Sequence, residues 1–431
     1  MTDPGAGVTP YWELTFDADG DGDGRERDRL LTQVTEHGVR DLIVFSHGWN
    51  NDRSGATALY RRFFAPFPRL APKARLGYAG VIWPSMRFSD EPIPDFPASV
   101  AAAEAVAPLR GLDEDTRRAL SRTFPGRTEV VDRLARMLDE RPDGAAGLTE
   151  FCRLARLLPD GEPAGTADTD ESGEPAVSGG DPVAACERFA EALAALDTAG
   201  GAARFSLPNP WDGAKELLRQ LTYHQMKGRA GTVGERGLGP LLGRLAAVAP
   251  GVRVHLVGHS FGGRLVAFAL RGLPEGVDTV KSVTLLQGAF SHYAFTARLP
   301  HAPERAGTLR DRQRRVDGPL VCCYSHFDTA LGTFYPLASR LAGDDRSCVG
   351  SEIAAVLGPR WGALGHDGAQ GVPGTARLDL AAALSGALPA SGCVNVDAAS
   401  VVRRGGAPTG AHSDIVHPEL ARLVVAAGRI G

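Results

Sequence analysis

The chain has 431 residues, enough for two or three average domains or for a single α/β core with elaborations. Hydrophobic residues make up 43% and charged residues 23%, a globular composition that excludes wholesale disorder. A formal net charge of -4 and a pI near 6.3 provide no basic face for nucleic acid or an anionic membrane, so the expected partner is a small molecule or a protein. No run of about 18 apolar residues occurs, and the opening "MTDPGAGVTPYWEL" has neither a basic start nor an apolar stretch behind it; the expectation is a cytoplasmic protein without a membrane span. Six cysteines, two of them adjacent (Cys322, Cys323) and none in a Cys-x-x-Cys pair, read as buried reduced thiols and not as a zinc site or disulfide frame.

In chain order, the first predicted strand is "YWELTF" (11–16). The following "DADGDGDGRERD" begins like a calcium loop, with Asp17, Asp19, Asp21, Gly22 and Asp28 at suitable offsets. It follows a strand instead of a helix, however, carries an extra glycine and lacks the closing bidentate glutamate, so a polar turn is the better reading. "DLIVFS" (41–46) and "YAGVIW" (78–83) are strands separated by a helix over "GATALYRRFF" (55–64). From about 85 to 237 the pattern turns helical. "TEVVDRLARMLDE" places Val130, Val131, Leu134, Met137 and Leu138 on one face, and "DPVAACERFAEALAAL" opens with an Asp181 cap and Pro182 at the first helical position. Between them "PDGEPAGTADTDESGEPAVSGGD" (159–181) is acidic and nearly free of large apolar residues, the composition of a mobile loop.

Beyond this insert, "LGPLLGRLAAVA" (238–249) reads as a helix and "VRVHLVG" (252–258), "VKSVTLLQ" (280–287), "LVCCYS" (320–325) and "CVNVDA" (393–398) as strands. Most of the strands are continuously apolar, as expected when helices cover both faces. The fold class is therefore α/β, a mostly parallel central sheet flanked by helices and interrupted by a large helical insertion.

"HLVGHSFGGRLV" (255–266) runs from a predicted strand into an apolar helix across Gly258, His259, Ser260, Phe261 and Gly262. A sharp strand-to-helix turn exposes its middle side chain at a helix N-terminus, where backbone N–H groups favour developing negative charge, and glycines two places either side let the chain pass closely. Ser260 is the candidate nucleophile.

With this elbow and with His47-Gly48 in "VFSHGWNN" after an early strand, the chain resembles the α/β-hydrolase superfamily in its serine-hydrolase, esterase and lipase-like branch. The resemblance implies an oxyanion hole made of the N–H groups of Trp49 and Phe261, with His47 buttressing the loop. It also implies the chain order nucleophile, acid, histidine, which Asp328 in "HFDTALG" and His412 in "GAHSDIVHPEL" can supply. His417 is a rival for the base, and Asp397 and Asp414 are rivals for the acid. Residues 1–87 and 238–431 then form the hydrolase core, and 88–237 occupy the place where this family often inserts a helical cap. The implied reaction is acyl transfer to Ser260 from a small-molecule acyl substrate, an ester ahead of an amide or peptide, followed by hydrolysis without metal or organic cofactor. A non-catalytic scaffold acting as a binding module is the reading from a different class.

Overall fold

Each of the seven predicted strands forms, and their burial explains why they were legible. β1 (Tyr11–Thr15), β2 (Asp41–Ser46), β3 (Leu76–Ile82), β4 (Arg253–His259), β5 (Val280–Leu286) and β6 (Pro319–Tyr324) are joined by β7 (Ala376–Asp379) and β8 (Gly392–Asp397). The structure is a computed structural model that describes residues 6–86, 88, 111–159, 181–199, 208–334, 362–405 and 409–431. The acidic stretch expected to be a mobile loop, 159–181, lies outside the described residues apart from its two ends.

The strands form one sheet in the order β1-β3-β2-β4-β5-β6-β8-β7, parallel at every pairing. Neighbouring residues in a strand point to opposite faces. Accordingly Leu42, Val44, Val254 and Leu256 enter a core shared with helices Pro210–Thr232 and Phe261–Gly272. Ile43, Phe45 and Val257 enter the second core, under helices Arg53–Phe64 and Pro418–Gly428. A strand sandwiched in this way has no solvent face and reads as an unbroken apolar run. The unpredicted β7 shows the converse. Its residues, Ala-Arg-Leu-Asp, alternate between half-buried and exposed at the sheet edge, so only period-two patterning over four residues was available to reveal it.

The predicted helical region contributes Glu114–Thr123, Thr128–Glu140, Ala145–Ala155, Pro182–Ala199 and Pro210–Thr232. In Thr128–Glu140 the buried face is Val131, Leu134, Ala135, Met137 and Leu138, with Val130 only half-buried. Asp181 accepts a hydrogen bond from the Val183 N–H at 3.0 Å, the expected cap. Asp17 in the early acidic turn accepts from the N–H groups of Asp19 and Asp21, as a polar turn requires. The five described cysteines are buried free thiols. Among the described residues no helix is long and apolar enough to cross a membrane.

The sheet order places the site. After β2 the chain moves to β3 on one side of β2, and after β4 it moves to β5 on the other side of β4. Such a reversal opens a crevice outside the carboxyl ends of the two central strands, the general location of ligand sites in open α/β sheets. Ser46 pairs with Gly258 and Leu286 with His259, so the loops beginning at His47, Ser260 and Gln287 leave the sheet at one level.

Candidate active site

Ser260 follows β4 directly and has φ 55° and ψ -122°, a left-handed backbone that an L-residue adopts at a cost of about 1–3 kcal/mol. The surroundings hold it there. The Ser260 N–H donates to the Leu286 carbonyl at 3.0 Å, and the Ser260 carbonyl accepts from Gly263 at 3.0 Å and from Ala289 at 3.2 Å. The flanking glycines are required by close approach: a Cβ on Gly262 would lie 2.1 Å from the Ser46 carbonyl oxygen, and one on Gly258 would lie 2.3 Å from that of Gly262. The elbow is thus pressed against the ends of β2 and β4.

Two further segments converge on it. The Ser260 hydroxyl lies 2.9 Å from His412 Nε2, and His412 Nδ1 lies 2.8 Å from Asp328 Oδ2. A carboxylate only accepts, so Nδ1 carries the proton and Nε2 presents its lone pair to the serine hydroxyl, the arrangement a general base needs. Asp328 is fully buried, and its charge is satisfied by three donors. Oδ2 receives His412 and, at 3.3 Å, the Gln287 side-chain amide; Oδ1 receives the Leu331 N–H at 3.0 Å.

The rivals are occupied elsewhere. His417 caps helix Pro418–Gly428 and lies 2.8 Å from Asp414, which also accepts from the N–H groups of Arg403 and Arg404. Asp397 accepts from the Ala399 N–H at the end of β8.

The loop after β2 packs directly on Ser260. A Cβ on Gly48 would come within 2.7 Å of Ser260 Cβ, so residue 48 must be glycine for the two segments to touch. Among the described residues the N–H groups of Trp49 and Phe261, the two implied oxyanion donors, donate to no protein acceptor. His47 is buried inside this loop. Its N–H donates to the Tyr60 hydroxyl at 3.0 Å, its carbonyl accepts from the Trp83 indole at 2.9 Å, and its ring stacks on Trp83. His47 Nδ1 donates to the Gly48 carbonyl at 2.8 Å. Trp49 rests against Phe88, Tyr223 and Phe261, so the helix Pro210–Thr232 contributes an aromatic contact to the loop beside Ser260.

Three imidazoles therefore gather at this rim, and burial separates their roles. Desolvation pushes His47 down to about 4 and His259 down to about 3, the latter assisted by the nearby His412. Both stay neutral at physiological pH, so neither places a cation beside His412.

Acid lability follows from the same burial. Unfolded, His47 and His259 titrate near 6.5, so below that pH the unfolded chain binds more protons than the folded one. Their stabilising contribution is fully present above 6.5 and is lost as pH falls toward 4 and 3. At about 1.4 kcal/mol per pH unit, each contributes a loss of about 2 kcal/mol between pH 6.5 and 5. Urea unfolding at pH 7.5 and 5.0 is expected to show this fall, and His47→Gln should reduce it by about 2 kcal/mol. An identical fall in the variant would refute a neutral buried His47.

Several supporting residues were not foreseen. Gln287, with φ 48° at the end of β5, joins Asp328 to the Gly365 carbonyl. Its only signal was a polar residue closing the apolar run "VTLL". Asp367 bridges His366 and His292 at 2.8 and 3.0 Å and ties segment 362–371 to the chain after β5. His292 and Asp367 are 75 positions apart and carried no sequence signal. A cleft of about 300 Å³ between the end of β1 and helix Gly239–Val248, lined in part by Arg27, Arg236 and Arg244, shares no residue with the Ser260 site.

No protein-family model, curated protein or solved structure matches this chain.

Proposed function

We propose that the chain is a serine hydrolase of the α/β-hydrolase superfamily that cleaves an ester or related acyl bond in a small molecule. The observation that carries this reading is the hydrogen-bonded series Ser260 Oγ, His412 Nε2, His412 Nδ1 and Asp328 Oδ2, at 2.9 and 2.8 Å, on a left-handed elbow at the sheet's carboxyl rim. Four segments far apart in sequence supply the nucleophile, base, acid and oxyanion loop. A structural turn needs none of the other three.

In the proposed reaction Ser260 Oγ attacks the acyl carbon while His412 Nε2 takes the hydroxyl proton, and Asp328 stabilises the resulting imidazolium. The N–H groups of Trp49 and Phe261 receive the oxyanion, where one such donor is worth about 2.7–4 kcal/mol of barrier. His412 returns the proton to the leaving oxygen as the bond to the acyl carbon breaks. Water, deprotonated by the same imidazole, then releases the acid from Ser260. An ester is favoured because its alkoxide leaves with less assistance than an amine. The described helices within 88–237 are read as a cap, a role supported by the contact of Tyr223 with Trp49 and Phe261.

A fluorophosphonate probe tests the reading without knowledge of the natural substrate. Rapid stoichiometric labelling is expected, with the adduct on the peptide containing Ser260 and none on Ser260→Ala. A folded protein that stays unlabelled would return the chain to the class of binding scaffolds.

A further inference from the structure

We propose that His259 is a positioning residue for the catalytic base, its Nε2–H holding the main-chain carbonyl of His412 at 2.8 Å and so fixing the imidazole against the serine hydroxyl. The inference rests on the reading of Ser260, His412 and Asp328 as the reacting groups.

The segment bearing His412 is anchored from two sides. Toward the acid, the Ala411 N–H donates to the Phe327 carbonyl at 2.9 Å and the Ala330 N–H to the Thr409 carbonyl at 3.2 Å. Both bonds move with the Asp328 loop. Toward the nucleophile, the described tether of the backbone is the His259 bond to the His412 carbonyl. Its donor sits next to Ser260 in sequence, so the distance between nucleophile and base is set by one covalent step and one hydrogen bond.

The same ring also reaches the oxyanion loop. A Cβ on Gly48 would lie 3.2 Å from His259 Nδ1, so the imidazole packs beneath Gly48 while its opposite edge grips the His412 carbonyl. His259 is only 2% exposed, and its centroid is 5.1 Å from that of His412. A carbonyl accepts and cannot donate, so Nε2 holds the proton and Nδ1 is bare. Among the described residues Nδ1 has no hydrogen-bond partner. A buried polar edge without a partner is disfavoured. An imidazole retained there in place of an apolar side chain fits a requirement for the donor at its other edge. Neutrality matters as well: a cation at this position would oppose the imidazolium forming on His412, and burial prevents it.

Without the His259 bond the base would remain tied to Asp328 but lose its registration on Ser260. A displacement of about 1 Å at reacting groups costs about 100-fold in rate. The expected result is therefore a fall of about 10–100-fold in kcat and in the rate of fluorophosphonate labelling for His259→Leu, with KM within about threefold of wild type. His259→Gln, whose amide N–H can occupy the Nε2 position, should recover most of the rate. His259→Asn, whose amide reaches only the Nδ1 position, should not, and it provides the test should the leucine variant fail to fold. Circular dichroism and the thermal midpoint verify folding in each case. Folded His259→Leu or His259→Asn that labels at the wild-type rate would overturn the positioning role, as would a Gln variant no better than Asn. Failure of the wild-type protein to label would instead overturn the hydrolase reading on which the role depends.

Discussion

Ser260→Ala and His412→Ala are each expected to lower kcat on an activated ester by about 10⁶-fold, and the double variant to be no worse than either alone. The non-additivity is the informative part. In the proposed reaction the serine hydroxyl is a weak nucleophile until His412 Nε2, 2.9 Å away, takes its proton, and His412 has no task in acyl transfer without a hydroxyl to deprotonate. Removing either abolishes one shared step, leaving the residual rate that the oxyanion donors provide. His417→Ala gives the contrast. Its imidazole is held by Asp414 at 2.8 Å at the start of the last helix, so turnover should stay within about twofold of wild type. Equal losses in His412→Ala and His417→Ala, or losses in the single variants that multiply in the double, would dismantle the assignment. Steady-state kinetics on a short-chain nitrophenyl ester measure all four.

Residues whose role is local were legible in the sequence, and residues whose role is tertiary were not. Ser260 announced itself because its strained turn needs Gly258 and Gly262 at fixed offsets, a requirement imposed by carbonyl groups within 2.3 Å of the missing Cβ positions. The central strands were readable because burial on both faces leaves an unbroken apolar run. Asp328 could be favoured for lying just past such a run, but Asp397, within or at the end of the next one, stayed a rival. What separates them is that the loop bearing His412 bonds to Phe327, a contact 84 residues away from its partner in the chain that no local pattern encodes. The sheet order was likewise hidden. Parallel neighbours are joined by crossovers, so the sequence of strands along the chain does not state which lie side by side. His259 illustrates the limit most clearly: it was visible as part of the elbow, while its bond to a carbonyl 153 positions later was not.

Asp328→Asn is expected to lower kcat by about 10⁴ while leaving the fold intact, because it reverses a single hydrogen bond. Both carboxylate oxygens of Asp328 accept: Oδ1 from the Leu331 N–H at 3.0 Å, Oδ2 from His412 Nδ1 at 2.8 Å and from Gln287 at 3.3 Å. An asparagine must place its NH₂ on one side. Placed at Oδ1, it would confront the fixed backbone N–H of Leu331. Placed at Oδ2, it forgoes only the long 3.3 Å bond from Gln287, whose amide N–H keeps its bond to the Gly365 carbonyl, and it meets no fixed backbone donor. The NH₂ then faces His412 and donates to Nδ1, so the imidazole carries its proton on Nε2 and cannot accept another from Ser260. The variant should consequently bind substrate with little change in KM and label slowly with fluorophosphonate. Asp397→Asn and Asp414→Asn, whose carboxylates are bound to backbone N–H groups or to His417, should remain within about threefold of wild type. A folded Asp328→Asn protein retaining more than a tenth of wild-type kcat would show that another group orients His412.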